Sequence, residues 1–167
     1  MSSDSLSLDT ETTVSYTIIT ADNVPFTLTS NEIQLSVLLK ETFESESSSS
    51  QMQNEERDIR LDTIQSTIFK HVETYLKHFS GETKPKEIDR PLRSKDMKEV
   101  TDEWSAEFID KIAENRDTLY KLITAANFLN IQPLLLLACA KVAGLVKGIP
   151  IDQIKAALLD SSVQTTA

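Results

Sequence analysis

The stretch Thr118–Gly148, TLYKLITAANFLNIQPLLLLACAKVAGLVKG, constrains this chain more than any other. Leu119, Leu122, Ile123 and Ala126 recur at the spacing of one helical face. The Ala125-Ala126 pair leaves room for a neighbouring backbone to come close. Leu129-Asn130-Ile131 breaks the pattern, and a second helix is expected over Ile131–Val146. Asn130 is the expected N-cap of that helix, and Pro133 falls in its first turn, where a missing N–H costs nothing. Lys147 suits the last turn and Gly148 the stop. The chain therefore has to accommodate two helices packed back to back, the second apolar almost all round.

Composition narrows the class. At 167 residues the chain suits one domain, or one domain with a helical extension. A domain of about 150 residues buries roughly 70% of its unfolded surface, so neither disulfide nor metal is needed to hold it. The net charge of -9 argues against nucleic acid as a partner, because phosphates repel such a surface. Cys139 is the sole cysteine, which excludes an internal disulfide and points to a reducing compartment; its neighbours Leu135, Leu136 and Val142 suggest a small core residue. The opening MSSDSLSLDTETT is neither a secretory signal nor a transit peptide, and the run Pro133–Ala140 is too short to span a bilayer. No membrane partner is expected, and the location expected is cytoplasmic and nuclear.

Residues 1–13 are expected to be disordered. Val14–Thr20 and Val24–Leu28 read as two strands joined at Asp22-Asn23, with Pro25 marking a sheet edge. Thr29 or Ser30 is the expected cap of a helix carrying Leu35, Leu38, Leu39 and Phe43. The acidic, serine-rich stretch 44–56 reads as a solvated loop, and Arg57–Leu61 as a short strand able to join the hairpin. Asp62-x-x-Gln65 resembles a capping box opening a helix through Phe79, with Ile64, Ile68, Val72, Tyr75, Leu76 and Phe79 on one face. Residues 81–101 read as a long solvated linker, ended by Trp104, which anchors it on the core. Three short strands cannot bury a core alone, so the helices must cluster on one face and the class is α+β.

No catalytic constellation emerges. The three glycines, Gly81, Gly144 and Gly148, form no phosphate loop. His71 and His78 lie seven apart on one helix, without a ligand cluster and without a nucleophile in any hydrolase motif. Neither enzyme activity, cofactor nor metal is expected. What the chain has in excess is apolar helix: Leu134–Leu137 covers a whole helical circumference, and Ile151, Ile154, Leu158 and Leu159 add a further apolar helix. Only one face can meet the domain's own core, so the rest needs another helix or a partner.

The residues Thr118-Leu119, Leu122-Ile123, Ala125-Ala126-Asn127-Phe128-Leu129, Ile131, Leu135, Cys139, Val142-Ala143, Lys147-Gly148 and Ile154-Lys155 resemble the C-terminal half of the Skp family, the S-phase-kinase-associated adaptors of SCF (Skp–cullin–F-box) ubiquitin ligases. Trp104-x-x-Glu107-Phe108 fits the same pattern, and Phe26, Ser36-Val37, Leu39 and Lys40 fit it more weakly. The resemblance implies a BTB/POZ fold over residues 14–129, a C-terminal helical extension over 130–160 and a polar tail over 161–167. It implies an adaptor that joins a cullin N-terminal domain to F-box proteins without doing chemistry. By resemblance Asn127 and Phe128 face the cullin, Phe128 standing where the family has tyrosine. Leu137, Ala140, Ile154 and Leu158 are the expected F-box contacts. Two departures stand out: Pro150-Ile151 replaces the family's Thr-Pro helix start, a loss of about 1 kcal/mol for a missing cap, and the chain ends in DSSVQTTA instead of the family's acidic terminal helix, as in a divergent paralogue. The alternatives are an interaction module without F-box partners: an elongin-C-like adaptor, a self-associating BTB protein, or a competitor that does not bridge.

Overall fold

Alternation of inward and outward side chains builds the sheet first. In the computed structural model, which describes residues 14–49, 58–81 and 83–159, β1 (Ser15–Thr20) and β2 (Pro25–Thr29) form an antiparallel hairpin pairing Tyr16 with Leu28 and Ile18 with Phe26. Asn23 takes φ 60° in the turn, a conformation its short polar side chain tolerates. The strand β3 (Asp58–Leu61) lies parallel to β1 on its other side, giving the order β2-β1-β3. Pro25 is thus on an edge strand, where its missing N–H leaves no ladder bond unmade.

One face of this sheet is the core. Ile18 and Leu28 are fully buried and Leu61 nearly so. Helices α1 (Val37–Ser49) and α2 (Ser66–His78) supply aromatic partners: the Tyr16 and Phe43 rings stack at 3.9 Å, and Phe69 meets Phe26 edge-on at 4.9 Å. After the linker come α3 (Met97–Val100), α4 (Glu103–Ala113), α5 (Arg116–Phe128), α6 (Gln132–Val146) and α7 (Ile151–Leu159). The class is α+β, as expected.

Several local expectations are corrected, each because a long-range contact replaces a local one. A 3-10 helix (Glu32–Leu35) intervenes before α1, so neither Thr29 nor Ser30 caps it. Ser36 does: its Oγ accepts from the Leu39 N–H at 3.3 Å. The Asp62-x-x-Gln65 box does not form, and the Gln65 side chain makes no capping bond. Instead Asp22, at the hairpin turn, accepts from the Ser66 N–H at 2.8 Å and the Ser66 hydroxyl at 2.5 Å.

Asn130 does not cap α6 with its side chain. It adopts φ 51° just past α5, where Ile131 N–H donates to the Ala126 carbonyl at 2.9 Å and Asn130 N–H to the Asn127 carbonyl at 3.1 Å. This is the Schellman arrangement, with Ile131 buried as its apolar clasp. Asn130 therefore ends one helix rather than starting the next. Gly148, at φ 78°, lies just beyond the end of α6 as expected.

The start of the stretch 44–56 is helical, because α1 continues to Ser49; the remainder, like the segments 1–13 and 161–167, lies outside the described residues. The linker 81–101 is not solvated throughout. Met97 is fully buried, Ile88 and Leu92 pack on the core, and Lys147 Nζ donates to the Leu92 carbonyl at 2.9 Å. A Cβ on Gly144 would stand 3.1 Å from the Lys95 carbonyl oxygen, so the linker backbone passes directly over α6 at its only glycine. Trp104 closes the linker as expected, stacked on His78 at 3.6 Å and on Phe108 at 5.0 Å.

Candidate functional site

Large apolar side chains exposed among the described residues fall mainly into two pairs. Val37 and Phe128 are 39% and 49% exposed; Ile151 and Leu159 are 88% and 69% exposed. The remaining two, Val14 and Val24, flank the hairpin singly. Exposed apolar residues that cluster mark docking surfaces, whereas scattered ones need no explanation.

The first surface is made where α5 ends and α1 begins. The last carbonyls of any helix lack intrahelical donors, and the first N–H groups lack acceptors. Here the two deficits meet. Ser36 Oγ donates to the Leu129 carbonyl at 2.7 Å, and the N–H groups of Val37 and Leu38 point at the Asn130 and Leu129 carbonyls at 3.4 Å. The helix dipoles are thereby joined, negative end to positive end. This seam fixes Phe128 on a ridge between two hollows. One, of about 420 Å³, is lined by Ile64, Ile68, Thr124 and Ala125; the other, of about 400 Å³, by Val37, Leu38, Glu41 and Asn127. Asn127 and Phe128, expected together from the sequence, are adjacent and exposed. Ser36 and Val37 were not expected there as site residues; the sequence marked them only by their weaker fit to the family pattern and by a serine preceding an apolar helical run.

The second surface is α7 and the outer side of α6. No residue of α7 is buried, and Ile151, Ile154, Leu158 and Leu159 surround an open hollow of about 430 Å³ beside Lys155. Tyr120 of α5 holds the helix by donating its hydroxyl to the Leu158 carbonyl at 2.5 Å, a contact without a sequence signal. Ile154 and Leu158 are thus on this surface as expected. Leu137 and Ala140 are not: they are 2% and 7% exposed, with Leu134, Ala138 and Gly144 on the inner face of α6. Apolar residues occupy every side of this helix, so periodicity could not say which side turns inward. Cys139 is corrected in the opposite direction. It is exposed, sharing the outer row with Leu135 and Ala143 at helical spacing. An ion pair between Lys141 and Asp110 at 2.7 Å, met as charges rather than as an aligned hydrogen bond, ties α6 to α4.

Electrostatics at these places is structural. Hydrogen bonds from the Ser66 hydroxyl, and then from Thr20, hold the Asp22 carboxyl down at about 2. Burial, with Lys111 and Lys70 nearby, lowers His71 and favours its neutral form. Burial pushes Asp102 up, but hydrogen bonds from the Ser105 backbone and side chain outweigh it and hold the carboxyl low at the start of α4. Among the described residues no cluster of three His, Cys, Asp or Glu is placed to hold a metal, and no helix is long and apolar enough to cross a membrane.

No family model matches the chain. It is 38% identical over 100 residues to the S-phase kinase-associated protein 1 homolog of Tetrahymena thermophila, a match covering 60% of this chain and 58% of that protein. It is 27% identical over 139 residues to the E3 ubiquitin ligase complex SCF subunit sconC of Arthroderma otae, covering 83% of this chain and 78% of the relative. It is 33% identical over 99 residues to the SCF ubiquitin ligase complex protein SKP1a of Dictyostelium discoideum, covering 58% and 57%. The chain thus spans somewhat over half the length of two of these relatives. The sconC match extends well beyond the helix pair Thr118–Gly148, and the relatives carry names of one kind: the chain is similar to Skp-family proteins of SCF ubiquitin ligases.

Proposed function

We propose that this chain is an adaptor subunit of an SCF-type ubiquitin ligase, bridging a cullin N-terminal domain to F-box proteins for ubiquitin-dependent degradation. The observation that carries the reading is that one helix connects both open apolar surfaces. Phe128 stands at the C-terminal end of α5, and Tyr120, two turns earlier, holds α7. Eight residues of one unbroken helix place them about 12 Å apart along its axis. A bridge needs this: two partners held at fixed separation and orientation, so that one presents its cargo to the other's machinery. The names of the relatives, which are SCF subunits, support the same reading.

In it Asn127 and Phe128, with Val37, meet the cullin through an apolar contact rimmed by polar groups. The open face of Ile151, Ile154, Leu158 and Leu159 takes the apolar side of F-box helices. The three-stranded sheet and its helices are read as a BTB/POZ unit and α6–α7 as its extension, working in cytoplasm and nucleus. The chain itself performs no chemical step and uses no cofactor.

Separate pull-downs with cullin N-terminal domains and with a panel of F-box segments test the proposal. Capture of both supports a bridge. Capture of the cullin alone would make the chain a competitor, and capture of neither would end the adaptor reading.

A further inference from the structure

A third hollow, of about 500 Å³, shares no lining residue with those around Phe128 or α7, the surfaces to which the adaptor reading assigns its partners. It lies where the 3-10 helix, the end of α2, residues 83–88 and the start of α6 meet. Leu35, Phe79, Ile88, Pro133 and Leu136 give it an apolar floor. Its size is that of a ligand-binding cleft.

The charges around this floor do not cancel. Lys84 and Lys86 stand exposed on the rim, and neither forms an ion pair among the described residues. Glu87 is the one carboxylate among the lining residues. Gln132 and Pro133, on the opposite wall, belong to the first turn of α6, which has neither an acidic residue nor a side-chain cap. The first turns of α3, α4 and α5 carry Glu99, Glu103 and Asp117 instead. The positive end of the α6 dipole thus borders the hollow uncompensated and adds to the two lysines. A chain of net charge -9 therefore keeps a local positive surplus over an apolar floor.

Backbone is open at the same place. Residues 83–88 belong to no helix or strand, and among the described residues their N–H and C=O groups form no hydrogen bond. An incoming extended chain can pair with such groups.

We propose that this hollow docks an extended segment of a partner protein in which apolar and acidic residues alternate. Successive side chains of an extended chain point to opposite faces, so the apolar set enters the hollow while the carboxylates stay at its rim beside Lys84 and Lys86. A basic segment would add charge where charge is already in surplus. Nucleic acid does not fit: the net charge of the chain repels it, and Phe79, the one ring lining the hollow, is only 5% exposed and offers no face for a base to stack on.

A fluorescein-labelled peptide of alternating leucine and aspartate is the probe, titrated with the full chain and followed by anisotropy. Binding is expected, weakening as salt is raised. Methyl spectra should shift at Leu35, Ile88 and Leu136. Lys84→Glu with Lys86→Glu should weaken binding at least tenfold with Tm unchanged, since both side chains are exposed and unpaired, and Glu87→Lys should tighten it. Capture of cullin and F-box segments should be the same in all these variants, so failure here and failure of the adaptor reading are separable. The proposal is overturned by absence of binding, by equal binding of a peptide with lysine in place of aspartate, or by shifts centred on Phe128 or α7. Shifts of the same methyls on raising the protein concentration without peptide would also overturn it, assigning the hollow to a second copy.

Discussion

Ser36 Oγ stands 2.7 Å from the Leu129 carbonyl oxygen while accepting from the Leu39 N–H, so one hydroxyl both caps α1 and fastens it to the end of α5. The two residues are 93 apart in sequence and both are fully buried. The ridge carrying Phe128 owes its position to this pairing.

Ser36→Ala removes the cap and leaves buried partners without a hydrogen bond. The expected loss is about 1–3 kcal/mol of folding stability. Urea unfolding should show a lower midpoint with an unchanged slope, and amide exchange should accelerate first at residues 37–39 and 128–131.

Asp22 takes the role that the local sequence assigned to Asp62 and Gln65. Its folded pKa of about 2 lies below the ordinary value of 3.8, so its contribution is complete above about pH 4 and is lost as pH falls towards 2. Asp22→Asn should melt earlier than the parent at neutral pH. The difference in Tm should narrow between pH 4 and 2, and a difference that stays constant across that range would count against the carboxylate's part in capping α2.

Phe128→Lys alters a half-exposed side chain and should leave the fold intact. Binding to the cullin N-terminal domain should fall at least tenfold, as expected when an exposed aromatic anchor is replaced by a charge. Circular dichroism and Tm matching the parent, with binding retained, would remove Phe128 from the proposed contact.

The two faces of α6–α7 separate by the same chemical change. Leu158→Asp should keep the fold and lose F-box capture, because α7 has no buried residue. Leu137→Asp places a carboxylate at a position only 2% exposed and should cost several kcal/mol, collapsing the cooperative transition altogether.

Gly144→Val tests the seating of the linker. Its Cβ would stand 3.1 Å from the Lys95 carbonyl, and branching adds atoms where backbone already is. Limited proteolysis should cut within residues 92–100 faster than in the parent, with α6 itself still helical.

The hairpin was legible because alternation at Tyr16, Ile18 and Thr20 and a turn at Asp22-Asn23 need only neighbours a few residues away. The face of α2 was legible for the same reason: Ile68, Val72, Tyr75 and Leu76 repeat at helical spacing, and all are buried. Resemblance placed Asn127 and Phe128 together, and the structure leaves both exposed. Leu137, Ala140 and Cys139 were misassigned because α6 is apolar on every side, so its sequence carries no direction.

Local pattern thus determined which segments become strands and helices, and that the leucine-rich end has more apolar surface than one core face absorbs. Tertiary structure alone decided which leucines turn inward, which serine and aspartate cap which helix, and where the linker lies. Periodicity depends on residues three or four apart, whereas Ser36 with Leu129, Asp22 with Ser66 and Gly144 with Lys95 are brought together only when the chain closes on itself.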